Sequence, residues 1–213
     1  MKCDKKDMLL YAVTDRSWLH GDTVVHQVEL ALKGGATFIQ LREKTLDEET
    51  FLKEAKEIAA LCKSYGVPFV INDNVKIAKE SGADGVHVGQ DDMEAGNVRE
   101  ILGPDMIIGV SAHNVEEARL AVERGADYLG CGAMFGSATK TNVSVCKYET
   151  LKAITEAVDI PVVAIGGINE SNIEKLTGSG CDGVAVISAL FAKDDITAAA
   201  KNLRALSEKM VKG

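Results

Sequence analysis

The chain has 213 residues, 46% hydrophobic and 26% charged, with a mean hydropathy of +0.02, a balance that suits one large soluble core and excludes a wholly disordered or membrane-embedded chain. Its 32 acidic and 24 basic side chains leave a formal charge of -8 with no basic run, which argues against nucleic acid or anionic lipid as a partner.

In chain order, a charged MKCDKKD leads into MLLYAV, an apolar run too short for a signal core or a membrane span, so a cytoplasmic protein is expected. Short β-branched runs then alternate with segments of helical period. The strand candidates are residues 9–15 (LLYAVTD), 37–44 (TFIQLREK), 68–73 (PFVIND), 85–89 (GVHVG), 107–112 (IIGVSA), 128–133 (YLGCGA), 161–167 (PVVAIGG) and 183–188 (GVAVIS). Between the second and third, Phe51, Leu52, Ala55, Ile58, Ala59 and Cys62 form one helical stripe, with Asp47 and Thr50 at its start and Gly66 and Pro68 at its end. The cysteines, Cys3, Cys62, Cys131, Cys146 and Cys181, form no C-x-x-C pair and read as buried free thiols.

A repeat runs through this pattern. Gly35-Ala36-Thr37, Gly82-Ala83-Asp84, Gly125-Ala126-Asp127 and Gly180-Cys181-Asp182 each stand between a helical pattern and a strand, and so mark the even strands. Eight βα units without spare sequence predict a single (β/α)8 TIM barrel over residues 1–213. An open doubly wound sheet would want a Gly-rich nucleotide turn after its first strand, where this chain has TDRSWLHGD.

Polar residues gather at the C-terminal ends of these strands, where a barrel carries its chemistry. A period of two puts Gln40, Arg42 and Lys44 on the face of Phe38, pointing into the barrel, with Ile39 and Leu41 towards the helices. Two buried cations call for an anion, with phosphate the natural choice; solvated strand ends neutralised by Glu43 are the alternative. Asp73 and Asp92 follow adjacent strands and suit Mg²⁺ with substrate phosphate, although Asp91 or Asp92 would also serve as a helix cap. Gly166-Gly167 and Ile187-Ser188 suit a second phosphate, and Ser137, Thr139 and Lys140 lie on a GSATK segment that otherwise reads as a surface turn. His87, inside a strand, reads as a core or outward-facing histidine rather than a metal ligand. No nucleophile triad can be assembled.

Taken in order, QLREK (40–44), IND (71–73), HVGQDD (87–92), GVSAH (109–113), S-x-T-K (137–140), IGGI (165–168) and VIS (186–188) resemble the thiamine phosphate synthase family along nearly the whole chain. The resemblance implies a transferase that couples a hydroxymethylpyrimidine diphosphate with a thiazole phosphate, giving thiamine phosphate and pyrophosphate. It implies that Gln40, Leu41, Arg42, Glu43, Lys44, Asn72 and Lys140 lie along the pyrimidine diphosphate and that Ser111 sits by the pyrimidine or the leaving pyrophosphate. It places Ser137, Ala138, Thr139, Gly167, Ile187 and Ser188 around the thiazole phosphate, and Mg²⁺ on Asp73 and Asp92. Arg42, Lys44, Lys140 and Ser111 are the expected catalytic residues. Where the family usually has proline and Pro-Thr, this chain has Ala133 and Gly136-Ser137. A thiazole tautomerase-like paralogue, a non-catalytic phosphate-binding barrel and a sugar-phosphate isomerase are the alternatives, separated by whether the diphosphate and metal residues are needed.

Overall fold

A computed structural model describes residues 3–90, 98–136 and 146–213. Its strands are β1 (Leu10–Val13), β2 (Phe38–Leu41), β3 (Phe69–Asn72), β4 (Gly85–Val88), β5 (Ile107–Ala112), β6 (Tyr128–Gly132), β7 (Val162–Ile165) and β8 (Gly183–Val186). They close into one parallel barrel in chain order, with β8 pairing back onto β1 through Leu10 and Val184. This is the expected (β/α)8 barrel. Several strands stop earlier than their sequence pattern suggests. Residues 42–44 follow β2 rather than extend it, because the Arg42 N–H turns to the Thr14 hydroxyl at 3.0 Å.

Among the described residues the helices are α1 (Val24–Lys33), α2 (Glu48–Tyr65), α3 (Val75–Ser81), α4 (Val98–Leu102), α5 (Val115–Glu123), α6 (Tyr148–Ala157), α7 (Ser188–Phe191) and α8 (Ile196–Lys212). None is long and apolar enough to cross a membrane. Helix α2 follows its sequence pattern: Asp47 accepts the Thr50 N–H, Gly66 ends the helix at a φ of 65°, and Phe51, Ala55, Ile58 and Cys62 are buried. The β7–β8 crossover holds only a 3₁₀ turn, Ile173–Leu176, where a full helix was expected. The cause is local, since Asn172 Oδ1 accepts the Asn169 N–H and Asn169 Oδ1 accepts the Ser171 N–H, which competes with helical bonding. All five cysteines are free and buried.

Side-chain alternation divides the apolar core in two. Leu10, Ala12, Ile39, Leu41, Val86 and Val88 face the helices, whereas Tyr11, Val13, Phe38, Val70, Tyr128 and Val163 point inward. The rings of Tyr11, Phe38 and Tyr128 fill the barrel's waist, with centroids 4.6, 5.4 and 5.9 Å apart. Gly109 makes that possible: a Cβ there would stand 2.1 Å from Tyr128 Cζ.

The four repeats become four clasps at the N-terminal end of the barrel. Thr37, Asp84, Asp127 and Asp182 each donate a backbone N–H to the carbonyl of a residue on the preceding odd strand: Leu10, Phe69, Ile108 and Val162. Each side chain also accepts that same residue's N–H, at 2.8, 2.8, 2.9 and 2.9 Å respectively. The clasps satisfy strand-end groups that would otherwise be buried without partners, and so register neighbouring strands in pairs.

Candidate active site

All eight strands contribute to a cavity of about 630 Å³ at the C-terminal end of the barrel, well within the range for a small-molecule site. Its floor is apolar, built from Val13, Val163, Ala185 and the Tyr11 ring, and polar groups converge above it.

Gln40, on the inward face of β2, and Arg42 and Lys44, just beyond its end, line that side of the cavity. The two cations are not unpaired, contrary to the expectation from sequence. Arg42 donates from Nη1 to Asp15 Oδ2 at 3.2 Å, and Lys44 Nζ meets Asp73 Oδ2 at 2.6 Å. Glu43 neutralises neither of them. It turns away from the cavity and is buried against Arg16, whose Nε donates to it at 2.8 Å and whose Nη2 reaches Glu54 at 2.5 Å. Burial pushes the Glu43 carboxyl above its ordinary range, with Arg16 pulling the other way. Leu41 is fully buried towards the helices, so its side chain, like that of Glu43, lies off the cavity lining.

After β3, Asn72 and Asp73 line the mouth. Asp73 sits at a φ of 61°, a left-handed conformation that aspartate tolerates better than most residues. Its N–H donates to the His87 carbonyl at 2.9 Å, and Asn72 Nδ2 donates to Asp73 Oδ1 at 2.9 Å, so strand end and amide together aim the carboxylate. A hard carboxylate oxygen beside cations that favour phosphate suits Mg²⁺ shared with a substrate. Among the described residues no group of three or more His, Cys, Asp or Glu side chains could hold a metal. Asp92, the expected second carboxylate, lies outside the described residues.

His87 takes the inward of its two expected placements and also reaches the cavity. It points into the barrel and lines the cavity, with Nδ1 2.9 Å from Tyr128 Oη and Nε2 3.1 Å from Ser111 Oγ. The sequence held a signal for this, because Val86 and Val88 flank it and a strand whose valines face the helices turns the residue between them inward. His113 also reaches the cavity rim and pairs with Glu117.

The far rim comes from the ends of β6, β7 and β8. Gly166 and Gly167 have φ of 99° and 67° and lie against the chain after β6, where a Cβ would come within 2.5 Å of Ala133 Cα and of the Gly136 carbonyl oxygen. This close approach explains the glycine pair without any ligand. Gly136 itself has a φ of 81°, which a proline could not adopt. Ile187 and Ser188 complete the rim at the start of α7.

The family model described as thiamine monophosphate synthase matches residues 10–190. The chain belongs to the thiamine monophosphate synthase family. Similar curated proteins include the thiamine-phosphate synthase of Clostridium tetani, 46% identical over 92% of this chain and 94% of its own length. Another is the thiamine-phosphate synthase of Caldanaerobacter subterraneus subsp. tengcongensis, 47% identical over 88% of each. Among solved structures, thiamine phosphate pyrophosphorylase from Pyrococcus furiosus superposes with a TM-score of 0.87 at 39% identity, covering 97% of this chain and 98% of that one. Relatives of that name over nearly the whole chain make this protein an enzyme of the transferase class.

For this member of the thiamine monophosphate synthase family, the structure brings Gln40, Arg42, Lys44, Asn72, Asp73, Ser111, Gly167, Ile187 and Ser188 around one cavity. Ser137, Ala138, Thr139 and Lys140 lie outside the described residues.

Proposed function

We propose that this cavity couples a hydroxymethylpyrimidine diphosphate with a thiazole phosphate, forming the bond between them and releasing pyrophosphate. The observation that carries the reading is the Arg42–Lys44 wall facing Asp73 and Asn72 at the mouth of an apolar-floored pocket, in a chain that belongs to this family. The substrate diphosphate takes the place now held by carboxylates: Arg42 offers a planar fork and Lys44 a movable point charge to its oxygens. Gln40, anchored below, reads the pyrimidine edge.

The reaction asks for leaving-group charge to be held and for two substrates to be aligned away from water. It needs no covalent nucleophile. We assign Asp73 and Asp92 to Mg²⁺, which when bound supplies further neutralisation of the leaving diphosphate. Lys140 is assigned to the diphosphate, while Ser137, Ala138, Thr139, Gly167, Ile187 and Ser188 are assigned to the thiazole phosphate; those seven assignments rest on the sequence motifs. Leu41 and Glu43, with side chains turned off the cavity, would reach a ligand only through their backbone.

The test is direct coupling. Purified protein with Mg²⁺ and both phosphorylated substrates is expected to yield thiamine phosphate and pyrophosphate in equal amounts. Folded protein that gives no product above the enzyme-free control would refute the reading.

A further inference from the structure

Along the floor and wall of the cavity runs a largely buried chain of polar groups that the coupling reaction does not by itself require. Gln40 Nε2 donates to Tyr11 Oη at 2.5 Å, Tyr11 Oη lies 2.7 Å from Tyr128 Oη, Tyr128 Oη lies 2.9 Å from His87 Nδ1, and His87 Nε2 lies 3.1 Å from Ser111 Oγ. It crosses the barrel from β2 to β5, and four of its five members, Gln40, Tyr11, His87 and Ser111, line the cavity. We propose that Tyr11, Tyr128 and His87 form a one-directional relay that sets Ser111 as a hydrogen-bond donor towards the bound substrate and ties that setting to the orientation of Gln40. The proposal rests on the coupling reaction for the identity of the acceptor.

The direction follows from counting hydrogens. Tyr11 receives the Gln40 N–H, so its single hydroxyl hydrogen goes on to Tyr128, and the Tyr128 hydrogen goes on to His87 Nδ1. Both tyrosines are wholly buried, which raises the pKa of each hydroxyl well above that of an ordinary phenol and keeps both as O–H donors. Three hydrogens thus fill three bonds, and His87 Nδ1 must accept. The imidazole proton then sits on Nε2 and is donated to Ser111 Oγ. Having accepted there, Ser111 directs its own hydrogen into the cavity. A donor at that point stabilises charge growing on a leaving diphosphate oxygen, whereas a lone pair would oppose it. Turning the Gln40 amide end for end would reverse every bond: His87 would carry its proton on Nδ1 and Ser111 would donate to Nε2. Gln40 and Ser111 therefore cannot set their hydrogen bonds independently, and Tyr11, Tyr128 and His87 act as positioning residues.

Two measurements test the relay. Long-range ¹⁵N–¹H NMR of the ligand-free wild-type protein, at a pH where the His87 ring carries one proton, is expected to show that proton on Nε2 with Nδ1 unprotonated. A proton on Nδ1 instead would overturn the proposal, whatever the enzyme's activity. The second is a double-mutant cycle in the coupling assay. Tyr128→Phe and Ser111→Ala are each expected to lower kcat by about tenfold or more with little change in KM, and adding Tyr128→Phe to Ser111→Ala should cost almost nothing further. Full additivity would show that Tyr128 acts on packing alone and would overturn the relay. If Tyr128→Phe fails to fold, Tyr11→Phe makes the same cycle. A wild-type protein without coupling activity would remove the functional reading, while the NMR result would still decide the relay.

Discussion

Lys44 Nζ and Asp73 Oδ2 meet at 2.6 Å across the mouth of the barrel, joining the ends of β2 and β3. Both side chains are partly exposed, 49% and 39%, so water screens the pair and its net worth is small, about 0.2–1 kcal/mol. A weak pair is what a site needs if a diphosphate is to separate it. Asp73→Asn releases Lys44 and removes a repulsive charge. Metal-free pyrophosphate, followed by calorimetry, is expected to bind about two- to fivefold tighter to this variant, while the Mg²⁺ stimulation of turnover is largely lost. Unchanged metal dependence would take Asp73 out of the metal site.

Arg42 presents a different geometry. One Nη is directed to Asp15, itself held at the start of the 3₁₀ turn Arg16–Trp18 by accepting the Ser17 N–H, and the planar group has further N–H donors to offer a ligand. Arg42→Lys keeps the charge and loses the fork. Steady-state kinetics are expected to show kcat/KM down by about tenfold or more, a cost of roughly 1.4 kcal/mol or greater. A change below about twofold would show that only charge is used at this position.

Glu43 gives a pH signature. Burial raises its carboxyl above the ordinary value of 4.5, so in that window the folded state holds a proton that the unfolded chain releases. Its contribution to stability is therefore present at low pH and is lost as pH rises through the folded value. Glu43→Gln removes this slope. In urea denaturation from about pH 4.5 upward, the wild type is expected to lose stability relative to the variant as pH rises. A constant difference, or one of opposite sign, would contradict the burial argument.

Asp182 belongs to a clasp at the far end of the barrel, accepting the buried Val162 N–H and pairing with Lys5 at 3.2 Å. Asp182→Ala leaves that N–H without its side-chain acceptor. It should lower stability by about 1–3 kcal/mol in chemical denaturation, with KM for both substrates unchanged. A KM shift without loss of stability would mean that the clasp communicates with the site.

Much of this was legible in the chain because strand period and helix signals are local. Phe38, Gln40 and Leu41 face the sides that alternation assigns them, and the Gly-Ala-Asp repeats fall before the even strands. What they do there was not legible, since each clasp bonds a residue on the preceding strand of the closed sheet. The same limit applies to charge. Arg42 and Lys44 enter the mouth as a period of two anticipates, although they lie past the end of β2, but their partners Asp15 and Asp73 sit on neighbouring strand ends and are set by barrel register. For Glu43, adjacency in sequence offered neutralisation of its neighbours only as the alternative, and the structure turns it towards Arg16 instead. His87 was placed in a core role or facing outward because the partners that draw it inward, Tyr128 and Ser111, are brought near only by the closed sheet.

The most direct measurement is a crystal structure with Mg²⁺ and pyrophosphate. The Lys44–Asp73 pair should be separated, with Lys44 and Arg42 on pyrophosphate oxygens and Asp73 on the metal. Pyrophosphate bound elsewhere, with Lys44 still on Asp73, would contradict the account.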